Sequence, residues 1–356
     1  MKLLDRYISK TIVLATTVVG LVFLGVFSLL MMLGELKNIG EGDYGLWQAM
    51  FYVLLRMPNE LYQFSPMLIL LGSIIGLSIL SSHKELAIMR TSGYSIRQMI
   101  KTTLLAVGGL TLVMAILGEG IAPFLNYKAA VQKENAKNAG IAVVTASGVW
   151  LHVDNNFVHI ERVVGRQLLE GITRYEFDSQ HRLLNTYHAK KLAYEHKQWR
   201  MYDVVQTHFY DQRTQSEMYE NALWRLKINP TLLNIGLLDA KEMSLAKLAK
   251  FSHYLKQNGL QAAGYQYEFW RRAFQPLAAL LMVFLAIPFV LATFSTATMG
   301  WRIVVGILVG FAFFITNATL GELCIVYQLP SQVAALLPLF VFAMLGFILS
   351  KSLIQR

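Results

Sequence analysis

Thr11–Leu33, TIVLATTVVGLVFLGVFSLLMML, carries no charged side chain from end to end. A helix of about 20 mostly apolar residues crosses the hydrocarbon of a bilayer, so this stretch decides the fold class. Lys2, Arg6 and Lys10 precede it, as in a secretory signal. The run is longer than the roughly 7–15 residues of a signal core, and no A-x-A cleavage site follows. It reads as a retained helix.

Five further stretches outward from it meet the same criterion, at roughly 63–82, 99–121, 274–294, 303–321 and 332–350. Composition agrees: 55% of the 356 residues are hydrophobic and 15% charged, against about 25% charged in an ordinary soluble domain. The charges are uneven. Residues 122–272 hold 34 of the 54 Lys, Arg, Asp and Glu side chains, so one polar domain sits inside a membrane protein. The expected division is 1–121, with three spans and a short cytoplasmic helix near 83–92; 122–272, an outer domain with flanking helices; and 273–356, with three more spans.

Lys and Arg in short loops mark the cytoplasmic side. With the N-terminus inside, the inner segments hold Lys2, Arg6, Lys10, Lys84, Arg90, Arg97, Lys101, Arg302, Lys351 and Arg356, while the short outer loops hold Lys37 and Arg56. Both termini are then cytoplasmic and the large insertion is outside. That topology accounts for the net charge of +10 without nucleic acid.

The insertion alternates as β structure at Val149–Val153, Phe157–Val163, Ile172–Phe177, Leu183–Tyr194, Trp199–Tyr210 and Met218–Ile228. Turn-rich breaks such as Asp178-Ser179-Gln180 separate the runs. Short antiparallel strands at this spacing indicate a sandwich or jelly roll. Ser244–Asn258 has the helical period and stops at Gly259. The fold class expected is therefore an α-helical membrane protein of six transmembrane helices, three plus three, with an inserted, jelly-roll-like all-β domain.

Several chemistries are missing. No Gly is followed by Lys, so a phosphate loop for ATP is absent. There is no H-E-x-x-H and no G-x-S-x-G. Cys324 is the single cysteine, which excludes an internal disulfide. The histidines between 152 and 253 lack metal-ligand spacing, so no metal is expected. Glu119 and Glu322 lie near the outer ends of their spans, and no second titratable group completes a proton relay. The chain reads as a non-enzyme.

Three constellations remain. On the cytoplasmic side, Lys84–Arg90 forms a short helix stopped by Gly93, and Ser95 with Gln98 makes a capping box for the third span. Glu85 is the lone acid among His83, Lys84, Arg90, Arg97 and Lys101. It is either the contact of a lever moved by an attached motor or part of a solvated loop paired with Lys84 or Arg90. At the outer boundary, Lys37, Arg56, Lys133, Arg271 and Arg272 place positive charge where topology disfavours it. They read either as ligands of an anion or as interfacial anchors that snorkel. Arg56 follows Leu46, Trp47, Met50, Phe51 and Leu54, an amphipathic pattern that suits the interface. Phe64, Phe311 and Phe314, with Tyr62 and Phe313, suit a cavity for acyl chains, or are plain packing.

Leu4-Asp-Arg-Tyr-Ile8, Glu85-Leu-Ala-Ile-Met-Arg-Thr-Ser-Gly93, Asn155-Asn-Phe-Val-His-Ile-Glu-Arg-Val163 and Phe274-Gln-Pro-Leu277, in this order and topology, resemble the LptF/LptG family of lipopolysaccharide export permeases, nearer its LptG branch. The resemblance covers the whole chain. It implies a permease subunit in a Gram-negative inner membrane, working with an LptB-like ATPase dimer, an LptF-like second permease, and LptC-like and LptA-like periplasmic proteins. It takes lipopolysaccharide from the membrane to that periplasmic bridge. ATP and Mg would be used by the ATPase partner, and no cofactor is bound by this chain. The acid matching Glu85, flanked by Lys84 and Arg90, would anchor the ATPase, and spans one and five would gate. Lys37 matches one of the family's basic residues for lipid phosphates; Met31 and Asn38 depart from the pattern, being uncharged. Two other functions fit six spans and an outer domain: a mechanotransmitting ABC subunit, and a non-transporting sensor or scaffold that binds protein outside.

Overall fold

The computed structural model describes residues 2–137, 143–145, 149–153, 156–164, 168–178, 180, 182–195, 198–210, 213–224, 239–257, 262–292, 298–327 and 329–354. Six of its helices are long and apolar enough to cross a membrane, within Leu3–Asn38, Ser65–Ser82, Ile96–Lys137, Ala263–Leu291, Met299–Tyr327 and Ser331–Lys351. The elements are α1 (Lys2–Glu35), α2 (Leu46–Gln63), α3 (Ser65–Ser82), α4 (Glu85–Thr91), α5 (Ile96–Ile116), a π turn (Leu117–Ile121) and α6 (Ala122–Lys137). After the strands come α7 (Leu245–Gln257), α8 (Ala263–Ala292), α9 (Met299–Tyr327) and α10 (Ser331–Ile354). Spans one to six are thus α1, α3, α5, α8, α9 and α10.

Spans two and four form the centre. In their most apolar windows 78% and 56% of residues are buried, against 17–33% in the other four. A lipid-facing apolar side chain gains nothing from helix association, so close backbone packing at small residues decides which helices meet. Gly72 and Gly76 on α3 face α1, where an added Cβ would lie 2.2 Å from Thr16 Oγ1 and 3.0 Å from Ile12 Cα. Gly310 on α9 faces α3 in the same way, with Met67 Cγ at 2.6 Å. Both pairs, Gly72/Gly76 and Gly306/Gly310, are G-x-x-x-G patterns.

Past the expected end of the third span near 121, the helix continues through the π turn into α6, ending at Lys137, one of the expected flanking helices. The amphipathic pattern of α2 has its expected two faces. Leu46, Trp47, Met50, Phe51 and Leu54 are exposed, and Ala49, Val53, Leu55 and Tyr62 are buried. The Ser95 capping box is present, with Gln98 N donating to Ser95 Oγ at 3.2 Å and Ser95 N to Gln98 Oε1 at 3.0 Å. The Leu245–Gln257 helix matches the expectation; Asn258 and Gly259 lie outside the described residues.

The all-β insertion is present as one antiparallel sheet: β1 (Val143–Thr145), β2 (Val149–Val153), β3 (Asn156–Val164), β4 (Leu168–Phe177), β5 (Leu183–Glu195), β6 (Gln198–Tyr210) and β7 (Arg213–Trp224). β1 and β2 both pair with β3, and β3 to β7 follow as a meander. The last strand starts at Arg213 rather than Met218, and its expected end beyond Trp224 lies outside the described residues. The alternation expected for β3 holds. Val158 and Ile160 are fully buried while Phe157 is 42% exposed. Ile160, Ile172, Ala189 and Val204 align across four strands in one buried row.

Candidate functional site

The bundle has two chemically different ends. Its loop end carries α4 and the start of α1; its insert end joins the β domain.

At the loop end, α4 is held by its own apolar side. Leu86 and Met89 are buried in the main core beside Ile8, Ile12, Tyr94 and Met99. Lys84 takes a left-handed conformation (φ 59°) just before the helix, and Gly93 (φ 91°) ends it. This leaves His83, Lys84, Ile88, Arg90 and Ser92 exposed. Glu85 pairs with neither Lys84 nor Arg90. Its Oε1 accepts from Tyr7 of α1 (3.3 Å) and lies 3.8 Å from His83 Nδ1; its Oε2 is buried with no hydrogen-bond partner. Asp5 adds a second tie, accepting from Tyr94 (2.6 Å) and Thr102 (2.8 Å). Burial and the Asp5 bond push the Tyr94 phenol up from its ordinary range. Side-chain hydrogen bonds thus tie the loop to span one, through Tyr7 and Asp5.

At the insert end, most basic residues have found carboxylates. Arg272, 1% exposed, donates from Nε to Glu119 (2.8 Å), from Nη1 to the Lys241 carbonyl (3.1 Å) and from Nη2 to the Gly118 carbonyl (2.8 Å). Its guanidinium also stacks 4.9 Å from the centre of the Tyr62 ring. A π turn leaves carbonyls without their usual helical donors, and this one turns Gly118 towards Arg272. A Cβ at Gly118 would sit 2.2 Å from the Tyr62 ring. The other oxygen of Glu119 accepts from Leu245 N (2.7 Å) at the start of α7, so one ion pair joins the third span, the fourth span and the insertion.

Arg56 pairs with Glu242 and also donates to Tyr52. Burial pushes the Glu242 carboxyl up, and Arg56 offsets only part of that. Lys133 donates to Glu35 (2.7 Å) and lies over the Tyr52 ring; Lys137 reaches Glu41 (2.8 Å) and Asn38 (3.1 Å). Asn38, the uncharged position noted in the sequence, links Lys137 to Glu35 through its amide. Lys37 is exposed and makes no ion pair among the described residues.

Beneath the insertion, spans two, four and five enclose a cavity of about 400 Å³. Phe64, Phe314 and Arg271 line it; Phe311 does not, being 53% exposed on the outer side of span five. Phe64 stacks on Phe314 with centroids 4.6 Å apart, and touches Phe23 (4.8 Å) and Phe27 (5.6 Å) of span one. A chain of rings thus runs from span one to span five. Phe23 and Phe27 were passed over in the sequence, although their i, i+4 spacing on one helix face was the available signal. Gln275, inside the Phe-Gln-Pro-Leu stretch, was passed over too. Its amide donates to the Tyr62 and Gln63 carbonyls at 2.9 and 3.0 Å, holding the break between α2 and α3.

Among the expected site residues, the fold brings Glu85 and Arg90 onto one short helix with Lys84 as its N-cap, and Phe64, Phe314 and Arg271 into one cavity. It puts Arg272, Arg56 and Lys133 into internal ion pairs. Among the described residues no cluster of three or more His, Cys, Asp or Glu side chains could hold a metal ion.

Six apolar helices split by an all-β insertion, with a loop helix tied to the first span, define a polytopic membrane subunit. Residues 6–352 match the model of the lipopolysaccharide export system permease LptF/LptG family, and the chain belongs to that family. It is 32% identical over 357 residues to the lipopolysaccharide export system permease protein LptG of Escherichia coli (strain K12), covering 99% of this chain and 98% of the relative. The LptG protein of Haemophilus influenzae (strain ATCC 51907 / DSM 11121 / KW20 / Rd) is 29% identical over 351 residues, 98% of each chain.

Proposed function

We propose that this chain is the LptG-type permease subunit of a lipopolysaccharide exporter in a Gram-negative inner membrane, with the loop end cytoplasmic and the β insertion periplasmic. Charge asymmetry supports that orientation: Arg6, Lys10, Lys84, Arg90, Arg97 and Lys101 all gather at the loop end. An LptB-like ATPase hydrolyses ATP with Mg and docks on α4. A related LptF-like permease completes the pore, and LptC-like and LptA-like proteins receive the lipid.

The observation that carries the coupling is Glu85. A buried carboxylate oxygen without a donor is expensive to leave so, and here it lies beside the exposed face of α4. A basic group of the ATPase would satisfy it. Glu85 also bonds Tyr7, and Leu86 and Met89 pack with Ile8 and Ile12. A push on α4 therefore reaches span one, whose Phe23 and Phe27 meet the rings leading to span five. Lys37, exposed and without an internal acid, is the best-placed ligand for a lipid phosphate. Arg56, Lys133 and Arg272 would have to leave their carboxylates to take that role.

Co-purification tests the coupling. Glu85→Ala should weaken ATPase retention about tenfold or more without changing membrane insertion, and Glu85→Lys should be worse because it opposes a basic partner. An Glu85→Ala complex that assembles and exports normally would remove the lever. Photo-crosslinking from Phe311, exposed on span five outside the cavity, tests the path; failure to capture lipopolysaccharide during ATP turnover would leave a mechanotransmitting subunit.

A further inference from the structure

The cavity beneath the insertion has a charge pattern that a polyphosphorylated lipid does not match. Arg271 is 14% exposed and is fixed through Nε, which donates to Glu268 Oε2 at 2.7 Å. Among the described residues its two terminal nitrogens make no hydrogen bond. They remain the bidentate end that suits a phosphate. Glu322 of span five lines the same cavity, exposed at its rim, with no ion pair or hydrogen bond among the described residues. Asp239 and Lys241 add one further charge of each sign. A head group with phosphates alone would meet Arg271 but face the unpaired acids as like charges.

We propose that this cavity binds a phospholipid with a primary ammonium head group, its phosphate on Arg271, its ammonium on Glu322, and one acyl chain along Phe313 and Phe314. About 400 Å³ lies in the range of small-ligand sites. It takes the head group and the upper part of one chain, not a whole lipid. An ammonium donates hydrogen bonds to a carboxylate, which a quaternary choline cannot do, so the site discriminates between two zwitterions of equal net charge. The wall belongs to one chain. The inference therefore goes beyond the export reading, since it requires neither the ATPase nor the second permease. Phe64 and Phe314 line the cavity and also belong to the ring chain from span one. An occupant would sit between the spans that those rings hold together.

The full chain in nanodiscs containing equal amounts of diazirine-acyl phosphatidylethanolamine, phosphatidylcholine and phosphatidylglycerol tests this. Adducts are mapped by mass spectrometry to the stretches 63–67 and 310–325. Phosphatidylethanolamine adducts should exceed each of the others about threefold, the effect of a charge pair at an exposed carboxylate. Glu322→Gln should reduce them to the level of phosphatidylglycerol, and Arg271→Gln should lower all three. Ala318→Trp, filling the cavity from an exposed helix position, should also lower all three in a chain that still inserts. Equal labelling by the three lipids, a preference for phosphatidylglycerol, or a preference unchanged in Glu322→Gln would each overturn the proposal. None of these outcomes bears on ATPase docking, so failure here leaves the export reading standing.

Discussion

At the loop end of the bundle, Arg6, Lys10, Lys84, Arg90, Arg97 and Lys101 are exposed, and among the described residues none of them makes an ion pair. At the insert end, Arg56, Lys133, Lys137, Arg271 and Arg272 each sit on a carboxylate. Both sets look alike in a list of basic residues. Water surrounds the first, so its charges need no partner and stay available for topology and for docking. The second lies where the lipid, the spans and the insertion meet, and there a cation is tolerated only when paired. One end offers a surface, and the other is braced.

The comparison breaks most visibly at Arg272. Arg272→Ala leaves Glu119 without its cation and two carbonyls without donors, and removing one partner of a buried pair costs about 3–5 kcal/mol. A large fall in the thermal midpoint of the detergent-solubilised chain is expected; an unchanged midpoint would mean that the insert end is not braced through this pair. Lys37 should behave differently from its neighbours. Lys37→Asp should leave the midpoint unchanged and reduce lipopolysaccharide-stimulated ATP hydrolysis about tenfold while sparing the basal rate. Equal losses in both rates would make Lys37 an anchor only.

Smaller effects sharpen the loop end. Tyr94→Phe removes the hydrogen bond that ties Asp5 to the loop, for about 0.5–1.5 kcal/mol. It should raise amide exchange in α4 before it alters global unfolding, whereas uniform loosening would show that the tie is not local. Arg90→Ala should change stability by less than about 0.5 kcal/mol, as exposed substitutions do, while still weakening ATPase retention. A large stability loss would mean that this end also is braced.

Much of the fold was legible because its signals are local. The uncharged run at 11–33 and its five counterparts gave the spans, and the helices differ from them chiefly in running on past the hydrocarbon, as α5 and α6 do. Ser95 with Gln98 announced a helix start that the structure shows bond for bond. Alternation along 157–160 assigned the buried and exposed sides of β3 correctly. The site was legible in kind only. Glu85 stood out as a lone acid, but Tyr7, seventy-eight positions away, carries no mark in the sequence of being its donor. Arg271 and Arg272 are adjacent and identical in type. One is locked into Glu119 across 153 positions and the other opens into a cavity.

The sequence by itself determined the six apolar helices, the polar insertion, the alternation of its strands and the motifs shared with the family. Each of these depends on transfer free energies and periodicities that sum along a short stretch of chain. Only the tertiary structure decided which cations are spent in ion pairs, which carboxylate oxygen lacks a donor, and which rings connect span one to span five. Those depend on distances of a few ångströms between residues far apart in the chain, because a buried charge is stabilised by the partner that packing brings to it and not by its neighbours in sequence.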